Sequence, residues 1–253
     1  MNVNSESRIG IVIPCYREKS FILGVLEKIP GYVAKIYVID DACPDATGDY
    51  VESNNDQDRV VVLRHKNNQG VGGAVLTGYR QALKDDMTVI VKLDGDGQMN
   101  PALIDKFDDP IINGDADYTK GNRFYQLQSL KQMPKSRLIG NMLLTFLSKV
   151  SSGYWNVFDP TNGYTAIHSL VFEQLYSEGL STDFFFESDM LCRLGEVRAC
   201  VKDIPMDARY GDERSSLVVY KVIAPFFYRH WTRLLRRLLD NYFLRDFSAA
   251  SIA

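Results

Sequence analysis

Four short β-branched runs alternate with helical patterns over the first hundred residues, and this alternation restricts the fold more than any other feature of the chain. The runs are "RIGIVIP", "AKIYVIDD", "RVVVLRH" and "MTVIVKLD"; between them lie "FILGVLEKI", "PDATGDYVESN" and "GVGGAVLTGYRQALK". Strands that are apolar at nearly every position, rather than at every second one, are buried on both faces. That predicts a parallel sheet covered by helices on both sides. Asp45 is the expected N-cap of the second helix, and Asn100-Pro101 opens the next one, with Asn as cap and Pro at the first helical position. "ADYTKGNRF" reads as a fifth strand. Further on, "SRLIGNMLLTFLSKVSSG" and "DFFFESDMLCRLGEV" carry helical patterns, while "DPTNGYTAIH" is a turn entering a strand and "RACVKDIPMDARYG" a strand leaving into a loop. No internal repeat or linker interrupts the chain. The division expected is one α/β domain over 1–217 and a helical appendage over 218–253.

Ligands of such sheets gather at the carboxyl ends of the strands, and there this chain places its acids. The second run ends on Asp40-Asp41, the fourth on Asp94-Gly95-Asp96, and the first on "PCYRE" with Tyr16 and Glu18. Like charges crowded on one edge repel unless a cation or the donors of a ligand offset them. Mg²⁺ is usually held by one or two carboxylates plus substrate phosphates, so Asp94 and Asp96, with the amide of Gln98, form a partial seat for such an ion. Gly95 lets phosphates approach the backbone. A calcium loop counted from Asp94 fails, because its sixth and twelfth positions are Met99 and Asp105 instead of Gly and Glu. "GVGG" follows the third strand, not the first, so close packing explains it better than a dinucleotide fingerprint. His65 and His168 have no partner at metal-ligand spacing and read as structural; no G-x-S-x-G elbow is present. The four cysteines are scattered, which fits a reducing compartment and excludes a zinc cluster. A formal net charge of −3 gives no reason to expect a nucleic-acid partner.

The appendage stands apart. "YKVIAPFFYRHWTRLLRRLLDNYFLRDF" interleaves Lys221, Arg229, Arg233, Arg236 and Arg237 with Phe226, Phe227, Trp231 and leucines. A basic, aromatic amphipathic helix suits a membrane surface; the competing reading is a helix packed on the domain with a basic outer face. No stretch of about 18 apolar residues occurs, so no transmembrane helix is expected within these residues.

In order and spacing, these segments resemble the inverting family 2 glycosyltransferases of GT-A fold (Rossmann-like, nucleotide-sugar-binding). They resemble in particular the dolichol-phosphate mannose synthase-like branch, which glycosylates a polyprenyl phosphate. "IPCYREKSFI" resembles the branch's P-x-Y-N-E, with Arg17 for the usual Asn. "VIDDACPDAT" resembles V-D-D-x-S-x-D-x-T, with Cys43 for Ser, and "KLDGDGQMNP" resembles D-A-D-x-Q-x-x-P. "NQGVGGAVLTGYRQA", "KGNRF", "DPTNGYTAI" and "FFFESDML" resemble further motifs in the same sequence order.

The resemblance implies roles. Pro14, Tyr16, Glu18, Val38 and Asp40 would cradle the base and ribose of the donor, with Asp94 and Gly95 at its diphosphate. Asp94, Asp96 and Gln98 would surround Mg²⁺ or Mn²⁺. Arg123 and Arg209 would face the acceptor's phosphate. The segment "RYGDERSSL" has shifted spacing and Ser216 for the usual Lys, which makes Arg214 a rival to Arg209. A phosphate nucleophile is already ionised near neutral pH and needs little general-base help. A sugar hydroxyl would need a carboxylate base. For that, Asp189 and Asp159 are the candidates; the competing structural readings are a helix N-terminal cap for Asp189, shared with Glu187, and a turn-former before Pro160 for Asp159.

The expected activity is therefore metal-dependent transfer of a hexose from a UDP- or GDP-sugar to a polyprenyl phosphate or other lipid-linked acceptor, at the cytoplasmic face of a membrane. A homo-oligomer is compatible with it. The rivals are a transferase acting on a saccharide hydroxyl and a nucleotide-sugar-binding protein without turnover. Many relatives carry transmembrane helices after the catalytic domain, and "FSAASIA" is where such a segment would begin.

Overall fold

The structure, a computed structural model, describes residues 7–125, 135–176, 179–207 and 219–245. Seven strands form one sheet: β1 Ile9–Cys15, β2 Lys35–Asp40, β3 Val60–Arg64, β4 Val89–Lys92, β5 Tyr118–Asn122, β6 Thr165–His168 and β7 Val201–Pro205. Their order is β3-β2-β1-β4-β6-β5-β7. β1 lies parallel between β2 and β4, β3 is parallel to β2, and β7 to β5. β6 alone is antiparallel, wedged between β4 and β5. Thus the sheet is mostly parallel, as the apolar runs imply.

Successive side chains of a strand point to opposite faces, and both faces here are covered. Ile11, Ile13, Val38 and Val91 face a core that contains Val25 and Leu26 of α1 (Ile22–Leu26) and Phe107 of α4 (Ile104–Ile112). Val12, Ile39 and Ile90 face the other way, onto Tyr79 of α3 (Gly70–Lys84) and Leu194 of α7 (Phe186–Glu196). Gly78 lets α3 settle on the sheet, because a side chain there would collide with Val12 and Ile39. "GVGG" serves a different contact. Gly73 N–H donates to Thr182 O at 3.0 Å, and a Cβ on Gly72 would overlap the backbone of Thr182 at 2.8 Å. These glycines therefore admit a loop from a hundred residues downstream.

Two helix starts were expected from the sequence, and only one is built as expected. Asn100 Oδ1 accepts from Ala102 N–H at 3.2 Å and caps the turn that leads into α4. Asp45 does not cap α2 (Thr47–Asn54). Ala46 occupies the cap position with a left-handed backbone (φ 50°), and its side chain offers no acceptor. Asp40 takes over the task, accepting from Gly48 N–H at 2.6 Å.

On α4, Asp108 is 1% exposed, beside Asp109 and Asp105 and within hydrogen-bond reach of Tyr32. Burial first, and then Asp109, push its pKa from 3.8 to about 7. A carboxyl raised in the folded state holds its proton more tightly there than in the unfolded chain. The stability it contributes is thus complete below about pH 4 and is lost as pH rises through about 7. Asp108→Asn removes this loss, and should raise stability at pH 8 by roughly 2 kcal/mol while changing little at pH 4.5. Thermal midpoints at the two pH values check it; an equal shift at both would refute the account.

The last helix, α8 (Val219–Leu239), packs on α5 (Lys135–Ser152) and α7. Its arginines are taken up by the domain. Arg233 Nε is 2.6 Å from Asp189, Arg229 is 2.7 Å from Asp183, and Arg237 donates to Val150 O at 2.7 Å. Arg236 lies 3.6 Å from Glu196. Buried His230 contacts Ser151 Oγ at 2.8 Å, and Phe226 packs edge-on to Phe185. α8 exposes Phe227, Tyr228, Trp231, Leu235 and Leu239, together with Thr232 and Arg236. The side chain of Lys221 and the segment "FSAASIA" lie outside the described residues. Among the described residues, no helix is long and apolar enough to cross a membrane. All four cysteines are free thiols.

Candidate active site

The loops at the carboxyl ends of β1 and β2 hold Arg17, Ala42 and Ala46 at positive φ (67°, 53° and 50°). For residues with a Cβ this backbone is costly, and it persists only where neighbours enforce it. The enforcement is visible. Asp41 N–H donates to Cys15 O at 3.1 Å, joining the two strand ends. Cys43 N–H donates to Asp40 Oδ1 at 2.7 Å, and Cys43 Sγ accepts from Arg17 N–H at 3.1 Å. Asp41 accepts from the N–H groups of Gln69 and Gly70 at 2.8 and 2.9 Å and pairs with His65 at 2.6 Å. Both aspartates thus hold helix starts and loops in place. Tyr16 is 45% exposed above this framework, with the Arg17 guanidinium 5.5 Å from its ring. Pro14 pairs in register with Ile39 and is buried, and Val38 packs wholly in the core, so neither strand residue exposes its side chain.

The loop after β4 carries the D-x-D. A side chain at Gly95 would meet the carboxylate end of Glu18 and come within 3.1 Å of Cys15 Sγ. The first-strand acid therefore sits directly over the D-x-D backbone. Asp96 Oδ1 accepts from Gln98 N–H at 2.9 Å. Lys92, the last residue of β4, is 2% exposed, and its Nζ lies 2.9 Å from Asp94 Oδ1 and 3.2 Å from Glu187 Oε1. Burial alone lowers a lysine pKa, but Asp94 and Glu187 outweigh it and hold this ammonium well above the ordinary lysine range. The oxygens of Asp94, Asp96 and Gln98 are hard donors, of the kind that suits Mg²⁺ or Mn²⁺. Among the described residues, no three His, Cys, Asp or Glu are grouped to cage an ion unaided. The donor set fits an ion whose remaining ligands come from substrate. A cavity of about 420 Å³ adjoins this loop, lined by Phe21, Val25, Lys28, Asp96, Gln98 and Met99 among others.

On the far side of β4, Arg123 donates Nε and an NH₂ group to Asp159 at 2.7 and 3.0 Å, a two-pronged pair with the carboxylate fully buried and the guanidinium side chain 30% exposed. Lys120, fully buried on β5, donates to Asn162 O at 2.6 Å. Burial drives its pKa down to about 8, against the upward pull of Glu187 and Asp159. Asp189, expected as a base or a cap, is 0% exposed and is engaged by Arg233 and by Ser181 N–H and Oγ, both at 2.9 Å. Arg209 and its rival Arg214 lie outside the described residues. Sequence reasoning missed Lys92 and Lys120. The signal was present as a lysine inside an apolar strand, "VIVKL" and "YTKGN", since a charge in a buried strand demands a partner. Glu187 was read only as a helix cap; its link to the D-x-D needs the tertiary fold.

Known proteins resemble the chain in sequence and in fold. The UDP-N-acetylglucosamine–dolichyl-phosphate N-acetylglucosaminyltransferase of Methanococcus voltae is 26% identical over 222 residues, covering 82% of this chain and 88% of that one. The polyprenol monophosphomannose synthase of Mycolicibacterium smegmatis is 26% identical over 209 residues, covering 81% and 78%. Among solved structures, the glucosyl-3-phosphoglycerate synthase of Mycobacterium tuberculosis, crystallised with Mn²⁺, UDP and glucosyl-3-phosphoglycerate, superposes with a TM-score of 0.65. It shares 17% identity, over 94% of this chain and 84% of that one. The fold is the GT-A architecture that the motifs imply. Residues 10–176, well over half of the chain, match the family described as Glycosyl transferase family 2, and the chain belongs to that family of glycosyltransferases.

Proposed function

We propose that this glycosyltransferase is metal-dependent and inverting, and that it moves a hexose from a UDP- or GDP-linked donor to a polyprenyl phosphate at the cytoplasmic face of a membrane. The observation that carries the choice of acceptor is the commitment of the candidate bases. Asp159 is clasped by Arg123, and Asp189 by Arg233 and Ser181; Glu187, in the same turn of α7 as Asp189, is held by Lys92. A hydroxyl acceptor needs a carboxylate able to take its proton. A phosphate needs none, only placement. The names of the relatives, a dolichyl-phosphate and a polyprenol enzyme, point the same way.

Asp96 and Gln98, with Asp94 behind them, would hold the ion. When bound it neutralises charge on the departing nucleoside diphosphate. Asp40 and Asp41 fix the loop after β2 and the approach to α3, and Cys43 Sγ and the Asp41 N–H tie that framework to the loop that carries Tyr16 and Glu18, which would shape the donor's cradle. Arg123, aligned by Asp159, presents a planar set of donors suited to phosphate oxygens. The apolar face of α8, and Met142, Leu143 and Phe146 exposed on the adjoining α5, would rest on the lipid. The arginines of α8 contribute to docking on the domain instead.

The test is to incubate protein, Mn²⁺ and each of a set of UDP- and GDP-sugars with polyprenyl phosphate in detergent, scoring lipid-linked sugar and released nucleoside diphosphate. Product with polyprenyl phosphate and a metal requirement are expected; product only with saccharide hydroxyls would overturn the acceptor. In the same assay, Arg123→Lys should raise KM for the lipid phosphate by roughly tenfold or more with donor KM little changed, because lysine cannot reproduce the fork. Equal changes in both would remove Arg123 from the acceptor side.

A further inference from the structure

Behind the pair of Arg123 and Asp159 lies a carboxylate that belongs to neither of their segments. Asp203 stands in β7, directly opposite Lys120 of β5. Its Oδ2 accepts from Asn122 Nδ2 at 2.9 Å and from Phe158 N–H at 3.1 Å. Asn122 is the residue before Arg123, and Phe158 is the residue before Asp159. Asn122 Oδ1 also accepts from Phe124 N–H at 2.9 Å, so its side chain braces the backbone that follows Arg123. Asp159 takes the Arg123 N–H at 3.2 Å as well as the two guanidinium bonds. One oxygen of Asp203 therefore joins the strand end that carries the arginine to the loop that carries its clasp. That loop is fastened elsewhere too. Tyr154 OH donates to Ala199 O at 2.6 Å and Asn156 Nδ2 to Val201 O at 2.9 Å, which lays residues 154–158 along the outer edge of β7. Attachment of the loop alone does not call for a carboxylate, and this one is costly where it stands. Its Oδ1 is shut off from water, with no hydrogen-bond partner among the described residues. Burial first raises its pKa from 3.8 to about 6; Asp159 adds to the rise, while Lys120 and the two hydrogen bonds oppose it. Near neutral pH the group is mostly ionised, and an ionised acceptor makes the stronger bonds.

We propose that Asp203 is a positioning residue for the acceptor: by joining Asn122 to Phe158 it fixes the direction from which Arg123 meets the lipid phosphate. This rests on Arg123 being the arginine of the acceptor, but fails separately from it. A planar fork matches phosphate oxygens only when it is aligned with them. A misplacement of about 1 Å in such a group can cost on the order of a hundredfold in rate. Asp203 touches none of the residues that would cradle the donor, so its loss falls on the acceptor.

The experiment is steady-state kinetics in detergent, with polyprenyl phosphate and the nucleotide sugar varied in turn. Asp203→Ala should raise KM for the lipid phosphate roughly tenfold or more and leave donor KM within about twofold. Asp203→Asn, which keeps an oxygen for both N–H donors, should stay within about threefold of wild type on the acceptor. Asn156→Ala loosens the same loop without touching Asn122 or Phe158, and both KM values should match wild type. In an Arg123→Lys background, Asp203→Ala should add less than about threefold, because the fork it aligns is already gone. Should Asp203→Ala fail to fold, Asn122→Ala, which leaves the bond from Phe158 N–H to Asp203 in place, is expected to give the same split. A fully additive double variant, an equal rise in both KM values, or an Asn156→Ala protein as impaired as Asp203→Ala would overturn the role of Asp203 and leave it a loop anchor. An Arg123→Lys protein with unchanged acceptor KM would remove Arg123 from the acceptor side, and this inference with it.

Discussion

Asp96→Asn costs at least about 10³-fold in kcat while the protein melts within a few degrees of wild type. The two halves of this expectation come from different parts of the site. Asp96 lies on a partly exposed loop, and its Oδ1 receives Gln98 N–H at 2.9 Å. Asparagine offers a carbonyl oxygen of the same size to the same N–H, so the loop keeps its shape and little stability is lost. What disappears is one negative charge where a cation and a departing diphosphate would meet. Electrostatic groups of this kind are worth several kcal/mol in the transition state, and about 4 kcal/mol corresponds to a thousandfold in rate. Lipid-linked product formation and a thermal melt, run on one preparation, check both halves. Activity within tenfold of wild type at saturating Mn²⁺ would show that the ion, if used, is not held here.

The half of the sheet built from β1 to β4 was legible because its information is local. Each run is apolar throughout, each is separated by a helical pattern, and right-handed connection of such units leaves few topologies. The other half was less legible because its pairing is remote. β6 is four residues long, and nothing in "TAIH" says that it will reverse direction and enter between β4 and β5. The caps show the same divide. Asn100 acts on the residue two positions ahead and was readable; Asp40 displaced Asp45 because the left-handed turn at Ala46 brings Gly48 back to the strand end. In the site, the D-x-D and the acidic strand ends follow from their place after apolar strands. The engagements of Asp159 and Asp189 do not, since their arginines come from 36 and 44 positions away. A carboxylate in sequence looks available as a base until the fold delivers its partner.

The pair between Asp189 and Arg233 should be the most sensitive contact of α8. Asp189 is wholly buried, and its Oδ1 meets Arg233 Nε at 2.6 Å. Breaking a buried pair from one side strands the other charge, at a cost of about 3–5 kcal/mol. Arg233→Ala strands the fully buried carboxylate, while Asp189→Ala strands a guanidinium whose side chain is 19% exposed. The arginine variant is therefore expected to be the worse, with its melting point lowered by roughly 8–15 °C in a chain of this size. The double variant should recover part of the loss, with a coupling of at least about 1.5 kcal/mol. Acid acts on the same interface. Burial lowers the pKa of His230 to about 4, so the docking it supports is complete above its unfolded value of 6.5 and is lost as pH falls toward about 4. Activity should suffer with docking, because Asp189 and Glu187 share the first turn of α7, and Glu187 holds Lys92 beside the D-x-D. An Arg233→Ala protein that melts within 2–3 °C of wild type, a shift worth about 1 kcal/mol, would mean that the other contacts of α8 hold it without this pair, and that this substitution should leave the transferase site undisturbed.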